Sequence, residues 1–279
     1  IFYSKNPITD LTAPGVEVVK LGVAENAQLF EHLLLAPNTN QSTTYYYAVT
    51  CKDLAGNKSV VSQNSSAVTN TARGRATISL NPPTNFVADG NLAEWQAITP
   101  FRMYLSDGTG FVVTNTTVTN DADLSAKAYV AMDNQYMYVA FDVDDDIVVQ
   151  NAQGSSYLND CPDLYIGLYN WHGMPHTAYQ RGAQPDYHFR FAYNRILIDG
   201  SAGTDSLIGE GVNYYWEEKF PSGYIVEARI NLADLALHGN DLTFSPVEGY
   251  RLPIDFALND ADATQTREGI MTYSPYNED

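Results

Sequence analysis

The sequence predicts an all-β protein organised as two sandwich domains, and three observations lead to this prediction. Helical periodicity is nearly absent, and the best candidate helix is the short run from Asn231 to His238. Short alternating or apolar runs bounded by Gly, Asn, Asp and Pro recur along the chain, which is typical of sandwiches and barrels. Aromatic residues make up 12% of the chain and include 20 tyrosines, a composition that favours strands.

Seven strands stand out from the pattern of apolar and polar residues. The segment 126–143 predicts a hairpin, because apolar residues alternate on both arms around a turn at Asp133 and Asn134. The seven predicted strands are Thr44–Thr50, Ala126–Met132, Tyr136–Val143, Asp163–Leu168, Tyr187–Tyr193, Gly223–Ile230 and Leu252–Asn259.

A break in composition divides the chain. The stretch TNTARGRATISLNPPTN, residues 69–85, mixes small, polar and proline residues and carries no apolar period, so it is interpreted as a linker. We therefore predict a first domain over residues 1–72, a linker over 73–85 and a second domain over 86–279.

The net charge of −18 limits the partners. It argues against nucleic acid, whose phosphates need a basic surface, and against anionic membranes for the same reason. No apolar run approaches the length of a membrane span, so membrane insertion is not expected. Neutral ligands and cations remain open.

Two features bear on processing and redox chemistry. The chain starts with Ile1-Phe2-Tyr3 and no Met, which is typical of a processed or excised piece, and its composition suits a secreted protein. The two cysteines, Cys51 and Cys161, are too few for a disulfide framework or a thiolate zinc site. We expect two buried free thiols, with a single bridge as the alternative.

The first domain contains Leu35-Ala36-Pro37, the run from Thr44 to Val49 and the turn from Asp53 to Asn57. In these residues it resembles the C-terminal half of a fibronectin type III domain. The resemblance implies a partial immunoglobulin-like sandwich in which Tyr45 occupies a corner and its hydroxyl bonds to the backbone. The family's first two strands are missing, which implies either a fragment or self-association by strand addition from a neighbour.

The second domain contains a series of motifs in a fixed order: Asp89-Gly90, Glu94-Trp95, the hairpin 126–143, Asp160, the run Asp163 to Ile166, Phe189-Arg190-Phe191, the run Gly223 to Ala228, and Asn259-Asp260-Ala261. In these motifs it resembles the family 9 carbohydrate-binding module and the wider DOMON-like group. The resemblance implies a larger two-sheet β-sandwich that often binds calcium and recognises sugar at one edge.

The same resemblance implies a sugar site. Tyr157 takes the place of the first aromatic of a clamp, and the second aromatic would fall just beyond Asp279. Arg190 matches an arginine that donates to sugar hydroxyls, and Asp163 matches an acidic acceptor. The family's glutamine on the penultimate strand is replaced by Ala257.

A run of acidic residues at a strand end predicts a cation site. Asp142, Asp144, Asp145 and Asp146 lie where a loop is expected, and calcium prefers several carboxylate and carbonyl oxygens. The alternative is a solvated acidic turn. The run is not an EF-hand, because the glycine and the closing glutamate are missing.

The loop Tyr169–His176 allows three interpretations. In the first, Trp171 packs over one end of the sandwich. In the second, Trp171 adds a stacking platform for sugar. In the third, His172, Met174 and His176 of the loop join His188 in ligating haem, as in some DOMON relatives.

No catalytic motif is present, so the chain is not expected to be an enzyme. The leading hypothesis is a non-catalytic, extracellular carbohydrate-binding accessory module with a fibronectin-like spacer, part of a larger secreted protein. Its ligand would be a poly- or oligosaccharide bound by Tyr157, Arg190, Asp163 and Trp171. The alternative is a structural or adhesion component of a cell-surface assembly or filament, completed by strand donation.

Overall fold

The computed structural model describes residues 1–30, 32, 42–62, 64–71, 76–150, 155–170, 187–198, 213–263, 266–275 and 277. The chain divides into two compact units, Ile1–Arg75 and Ala76–Asp279. Among the described residues, no helix is long and apolar enough to cross a membrane.

The first unit contains one antiparallel sheet. Its strands are β1 (Phe2–Ser4), β2 (Glu17–Val18), β3 (Ser42–Ala48) and β4 (Val68–Thr71), in the order β2-β1-β3-β4. The ring of Tyr45 lies 5.3 Å from that of Tyr3, and Tyr3 in turn lies 4.2 Å from His32. The corner role of the Tyr45 hydroxyl stays a prediction.

A serine ladder runs alongside the end of β3 and the residues that follow it. Ser59, Ser62 and Ser65 each donate a backbone N–H to a carbonyl of the 47–51 segment at 2.9 Å. Their hydroxyls accept the backbone N–H groups of Cys51, Val49 and Tyr47 at 2.9 to 3.1 Å. The serines recur every third residue, whereas their partners Tyr47, Val49 and Cys51 recur every second residue. The segment 59–65 therefore lies alongside 47–51 without forming a regular β-strand.

The second unit is a sandwich of two antiparallel sheets. The strands are β5 (Phe101–Met103), β6 (Phe111–Val112), β7 (Leu124–Met132), β8 (Tyr136–Asp145), β9 (Cys161–Ile166), β10 (Tyr187–Ala192), β11 (Arg195–Ile198), β12 (Tyr214–Glu218), β13 (Tyr224–Asn231), β14 (Ile254–Asp260) and β15 (Gly269–Thr272). They follow the orders β11-β10-β9-β14-β15-β6 and β12-β13-β8-β7-β5 in the two sheets. The predicted all-β sandwich is confirmed.

Alternate residues of the facing strands fill one core. Phe141 of β8 and Phe256 of β14 are fully buried, with ring centroids 6.0 Å apart across the sandwich. Leu164 and Ile166 of β9, like Phe189 and Phe191 of β10, belong to the same core. Since side chains alternate along a strand, the residues between them lie on the outer face of the six-stranded sheet.

The predicted helix forms one residue later than expected, as α1 (Leu232–Gly239). Asn231 is its N-cap and accepts hydrogen bonds from the backbone N–H groups of Ala233 and Asp234. Asn240 ends it in the left-handed conformation. Both cysteines are free, but only Cys161 is buried, so the expectation of two buried thiols is wrong for Cys51.

A smaller cluster covers the outer face of the five-stranded sheet. Trp95 is fully buried there, in a short 3₁₀ helix (Leu92–Trp95), and packs at right angles to Phe86. Its indole Nε1 donates to Oε1 of Glu227 at 2.8 Å, while Oε2 of Glu227 accepts the backbone N–H of Gly90 at 2.6 Å. This buried carboxylate ties the segment before β5 to the sheet.

Candidate functional site

The outer face of β9 and β10 brings two of the predicted site residues into contact. Asp163 of β9 lies directly opposite Arg190 of β10 in the strand register, and Tyr165 lies opposite His188. The rings of Tyr165 and His188 stack with centroids 4.1 Å apart. Antiparallel pairing places these four side chains side by side because each is the outward member of its strand position.

Asp163 is saturated with hydrogen bonds. Its Oδ1 accepts from Nε of Arg190 at 2.9 Å, and its Oδ2 accepts from Nη2 of Arg190 at 2.6 Å and from Nε2 of His188 at 3.0 Å. Nδ2 of Asn259 donates to the same Oδ2 at 3.3 Å. The carboxylate is fully buried, so it orients Arg190 and His188 from beneath and is not exposed to a ligand.

Asp163 and Arg190 stabilise each other's charged forms. Burial on its own raises the pKa of Asp163, but the hydrogen bond from His188 and the charge of Arg190 outweigh it and hold that pKa below its usual value. Burial on its own lowers the pKa of Arg190, but the charge of Asp163 outweighs it and raises that pKa. Both groups therefore remain charged at neutral pH.

Tyr157 lies above this pair with 40% of its surface exposed. It belongs to a short 3₁₀ helix, Ser156–Leu158, just before β9. The guanidinium carbon of Arg190 is 5.8 Å from the centroid of its ring, and that of Arg267 is 5.4 Å away. Nη1 of Arg267 also donates to Oδ1 of Asn259 at 2.8 Å. The surface thus joins one exposed aromatic ring to two arginines.

Ala257 stands where the resemblance implies a glutamine. It pairs with Asp163 on one side and with Thr272 on the other, and it is fully buried on the outer face of β14. Trp171 lies outside the described residues, as do His172, Met174 and His176. His188 is described, and it contacts Asp163 and Tyr165.

The structure does not bring the four predicted cation ligands together. Asp142 and Asp144 point to the outer face of β8, where Nζ of Lys219 lies 2.5 Å from Oδ1 of Asp142 and 2.7 Å from Oδ1 of Asp144. Lys127 adds a third contact, 3.2 Å from Oδ2 of Asp142. Asp145 is fully buried, as expected for the opposite phase of the strand. Two of the four carboxylates are therefore occupied by lysine.

Asp145 instead meets two other carboxylates inside the end of the sandwich. Asp160 precedes β9, Asp260 ends β14, and oxygens of all three aspartates lie within 4.8 Å of one another. None of the three is more than 1% exposed. Among the described residues, Oδ2 of Asp145 and both oxygens of Asp260 have no hydrogen-bond partner. We refer to Asp145, Asp160 and Asp260 as the buried aspartate triad.

The charges of the buried aspartate triad oppose one another. Burial, together with the charge of Asp145, raises the pKa of Asp260 to about 8. Burial likewise raises the pKa values of Asp145 and Asp160, with the neighbouring carboxylates adding to the shift. Uncompensated buried carboxylates are costly, whereas a hard divalent cation prefers this set of oxygens. The triad fits calcium.

A second acidic group, comprising Asp123, Asp262 and Glu268, has oxygens within 4.8 Å of one another, and it is less buried. The charge of Asp262 also acts on Asp145 and Asp160, so the two groups share one electrostatic environment.

Residues 106–279 match the family described as carbohydrate family 9 binding domain-like. The chain belongs to this family. The family 9 match covers the Tyr157–Arg190 surface and the buried aspartate triad alike. It confirms the family 9 resemblance and shows that this part of the chain is a carbohydrate-binding domain. Since domains of this family are non-catalytic binding domains, the match agrees with the prediction that the chain is not an enzyme. It also favours this function over the structural or adhesion alternative.

Two solved structures are similar to the chain. One is a carbohydrate binding module family 9 from Caldicellulosiruptor kristjanssonii in complex with cellotriose, with 20% identity and a TM-score of 0.47 over 72% of this chain and 84% of that one. The other, from the same organism in complex with glucose, has 19% identity and a TM-score of 0.45 over 72% and 86%. No curated protein matches the chain. These matches lend no weight to the wider DOMON-like resemblance.

Proposed function

We propose that the second unit binds carbohydrate at the surface formed by Tyr157, Arg190 and Arg267, as a non-catalytic module of a larger protein. The observation that carries this proposal is Arg190, held rigidly by Asp163 next to an exposed tyrosine ring. A sugar presents an apolar C–H face and a rim of hydroxyls, so it needs one flat aromatic surface and fixed polar donors beside it.

The role of each residue in binding follows from how exposed it is. Tyr157 supplies the stacking surface because its ring is exposed. Arg190 uses Nε and one hydrogen of Nη2 on Asp163, so its remaining N–H groups are those that donate to hydroxyl oxygens. Asp163 is a positioning residue rather than a direct acceptor. Trp171 remains a predicted second platform.

Isothermal titration with soluble oligosaccharides tests this proposal, beginning with cellotriose and glucose, the ligands named for the two similar structures. Tyr157→Ala is expected to weaken binding about five- to 150-fold, since stacking on one aromatic ring contributes about 1–3 kcal/mol. Phe220→Ala is the control, because Phe220 is a 97% exposed aromatic residue between β12 and β13, in the other sheet from Arg190. Equal losses in the two variants, or no sugar bound by the folded protein, would refute the site.

We further propose that the buried aspartate triad holds a structural calcium ion. Its support is the set of unpartnered, fully buried oxygens of Asp145 and Asp260. When bound, calcium would neutralise the three carboxylates and hold the ends of β8 and β14 beside the start of β9. Titration of calcium into chelator-treated protein should give saturable binding that Asp260→Asn weakens and Asp144→Asn, at the lysine-paired position, leaves intact.

We also propose an extracellular location and a spacer role for the first unit, with its fibronectin type III character as a supporting resemblance. The acidic, charge-poor composition supports this view, since only 17% of residues are charged. Detection of the parent protein in culture medium or on the cell surface would test the location. Self-association through the first unit is tested by light scattering after size exclusion, where a monodisperse monomer would count against it.

A further inference from the structure

Two segments of chain each carry part of the proposed saccharide surface and part of the buried aspartate triad. In the first segment, Asp160 of the triad lies three residues after Tyr157. In the second, Asp260 of the triad directly follows Asn259, whose amide oxygen accepts a hydrogen bond from Arg267. A shift of either segment therefore displaces groups that belong to both sites.

The side chains of Cys161 and Asn259 join these two segments, and we refer to them as the Cys161–Asn259 pair. The two residues lie directly opposite each other where β9 pairs with β14. Nδ2 of Asn259 donates to the backbone oxygen of Cys161 at 3.2 Å and lies 3.5 Å from its Sγ. The thiol of Cys161 donates to the backbone oxygen of Ser156 at 3.3 Å, next to Tyr157. The pair thus holds the short 3₁₀ helix of Tyr157 against both strands.

The buried aspartate triad places like charges directly beside this pair. Continued by one step, the antiparallel register puts Asp160 opposite Asp260, and their carboxylate oxygens lie within 4.8 Å of each other. Like charges opposite each other on paired strands are destabilising. When these carboxylates are charged and no cation is bound, their repulsion acts to separate β9 from β14 at the end nearest Tyr157. Neutralising the carboxylates removes that repulsion and favours the closed Cys161–Asn259 pair.

We propose that the Cys161–Asn259 pair couples the two sites, so that the saccharide surface gains affinity when calcium neutralises the carboxylates of the buried aspartate triad. Cys161 and Asn259 are positioning residues, because Cys161 acts through the helix of Tyr157 and Asn259 acts through Arg267. The inference rests on the proposed function and on the proposed ion, and it concerns how one regulates the other. Coupling between two binding equilibria is reciprocal, so saccharide must raise the affinity for calcium by the same factor.

Titration calorimetry with cellotriose and glucose tests the coupling on the full chain, either freed of metal or saturated with calcium. The measurements are made at pH 8, where protons compete less for the carboxylates. We expect saccharide to bind about fivefold tighter or more with calcium, the lower end of typical couplings between sites. Calcium titrated with and without saturating saccharide should show the same factor. A purely structural ion would leave both ratios at one, provided that circular dichroism shows the metal-free chain to be folded.

Two substitutions of Cys161 locate the coupling. Cys161→Ala removes the thiol that contacts Ser156 and Asn259, so it should reduce the ratio of the calcium-loaded to the calcium-free saccharide affinity to about one. Cys161→Ser is the matched control, because its hydroxyl can still donate to the backbone oxygen of Ser156, and it should keep most of the ratio. An unchanged ratio in folded Cys161→Ala would overturn the role of the pair.

The possible results separate this inference from the two proposals on which it rests. Equal saccharide affinity with and without calcium would overturn the inference and leave the proposed function standing. Saccharide binding by a chain that binds no calcium would overturn the inference and the proposed ion together. Failure of both saccharides to bind the folded, calcium-loaded chain would overturn the proposed function as well.

Discussion

Asp163 remains charged although it is fully buried, because three neighbouring side chains donate to its carboxylate. Removing the charge leaves the guanidinium of Arg190, whose side chain is only 14% exposed, with a neutral partner, and breaking one half of a largely buried ion pair is costly. We expect Asp163→Asn to lower the free energy of unfolding by about 3 kcal/mol, measured by urea denaturation at pH 7. It should also weaken saccharide binding, because Arg190 loses its support.

The exposed pair of Arg102 and Asp107 provides the control for this variant. Its N–O distance is 3.0 Å and the Asp107 side chain is 38% exposed, so Asp107→Asn should cost less than about 1 kcal/mol. The pKa of Asp163 is lowered in the folded state, so its stabilisation is present above the unfolded pKa of 3.8 and is lost as the pH falls through the lowered value. Equal costs for the two variants at pH 7 would contradict the buried-pair argument.

Part of this site was predictable from residue types, and part was not. The family resemblance pointed to Tyr157, Asp163 and Arg190, and the structure places them together. His188 is two positions from Arg190 on the same strand, so alternation alone could have added it. Arg267 comes from the segment between β14 and β15, where no periodic signal fixes a direction, and sequence reasoning missed it.

At the level of elements, the turn before the Trp95 helix depends on a glycine. Gly90 has φ of +81°, and a Cβ there would lie 2.6 Å from the ring of Tyr215. Gly108 has a similar φ of +70° with nothing within 4 Å of an added Cβ, so it isolates the conformational cost from the steric one. We expect Gly90→Ala to lower the unfolding free energy by about 2 kcal/mol and Gly108→Ala by about 1 kcal/mol, measured by thermal and urea denaturation.

The comparison of Gly90→Ala with Gly108→Ala also tests how the segment before Trp95 is attached to the sheet. The backbone N–H groups of Gly90 and Asp89 both donate to the buried carboxylate of Glu227. A shift of the turn in Gly90→Ala should therefore disturb the environment of Trp95, which shares that carboxylate, and change its fluorescence. Identical unfolding free energies for the two alanine variants would show that the ring of Tyr215 moves aside without a cost in stability.

Strand periodicity explains which elements were predictable. All seven strands predicted from the sequence form, because each carries an alternating or apolar run. Strand β6 has only two residues and β5 and β1 only three, too short for alternation to be read. Because side chains alternate along β8, Asp145 faces the interior of the sandwich, whereas Asp142 and Asp144 face outward. Treating the whole run of acidic residues as one cation site overlooks this difference.

Across the whole second unit, we expect the buried aspartate triad to make stability depend on pH and, if it holds the proposed ion, on calcium. Its three aspartates come from separate parts of the chain, so sequence reasoning placed only Asp145 in a cation site, and the strand pairing of β9 with β14 brings the other two together. Their pKa values are raised by burial and mutual repulsion, to about 8 for Asp260. In the calcium-free chain the folded state therefore binds more protons than the unfolded state between pH 4 and 8.

The sign of the pH dependence follows from that difference in bound protons. Stability decreases with rising pH wherever the folded state holds more protons, so calcium-free protein should be less stable at pH 8 than at pH 5.5. Calcium binds the deprotonated carboxylates, so it should raise the melting temperature more at pH 8 than at pH 5.5. Thermal unfolding of protein dialysed free of metal, with and without added calcium at both pH values, measures this. Asp260→Asn should abolish most of the calcium effect, whereas Asp144→Asn, on the opposite face of β8, should retain it. A calcium effect that is larger at pH 5.5, or unchanged in Asp260→Asn, would place the ion elsewhere.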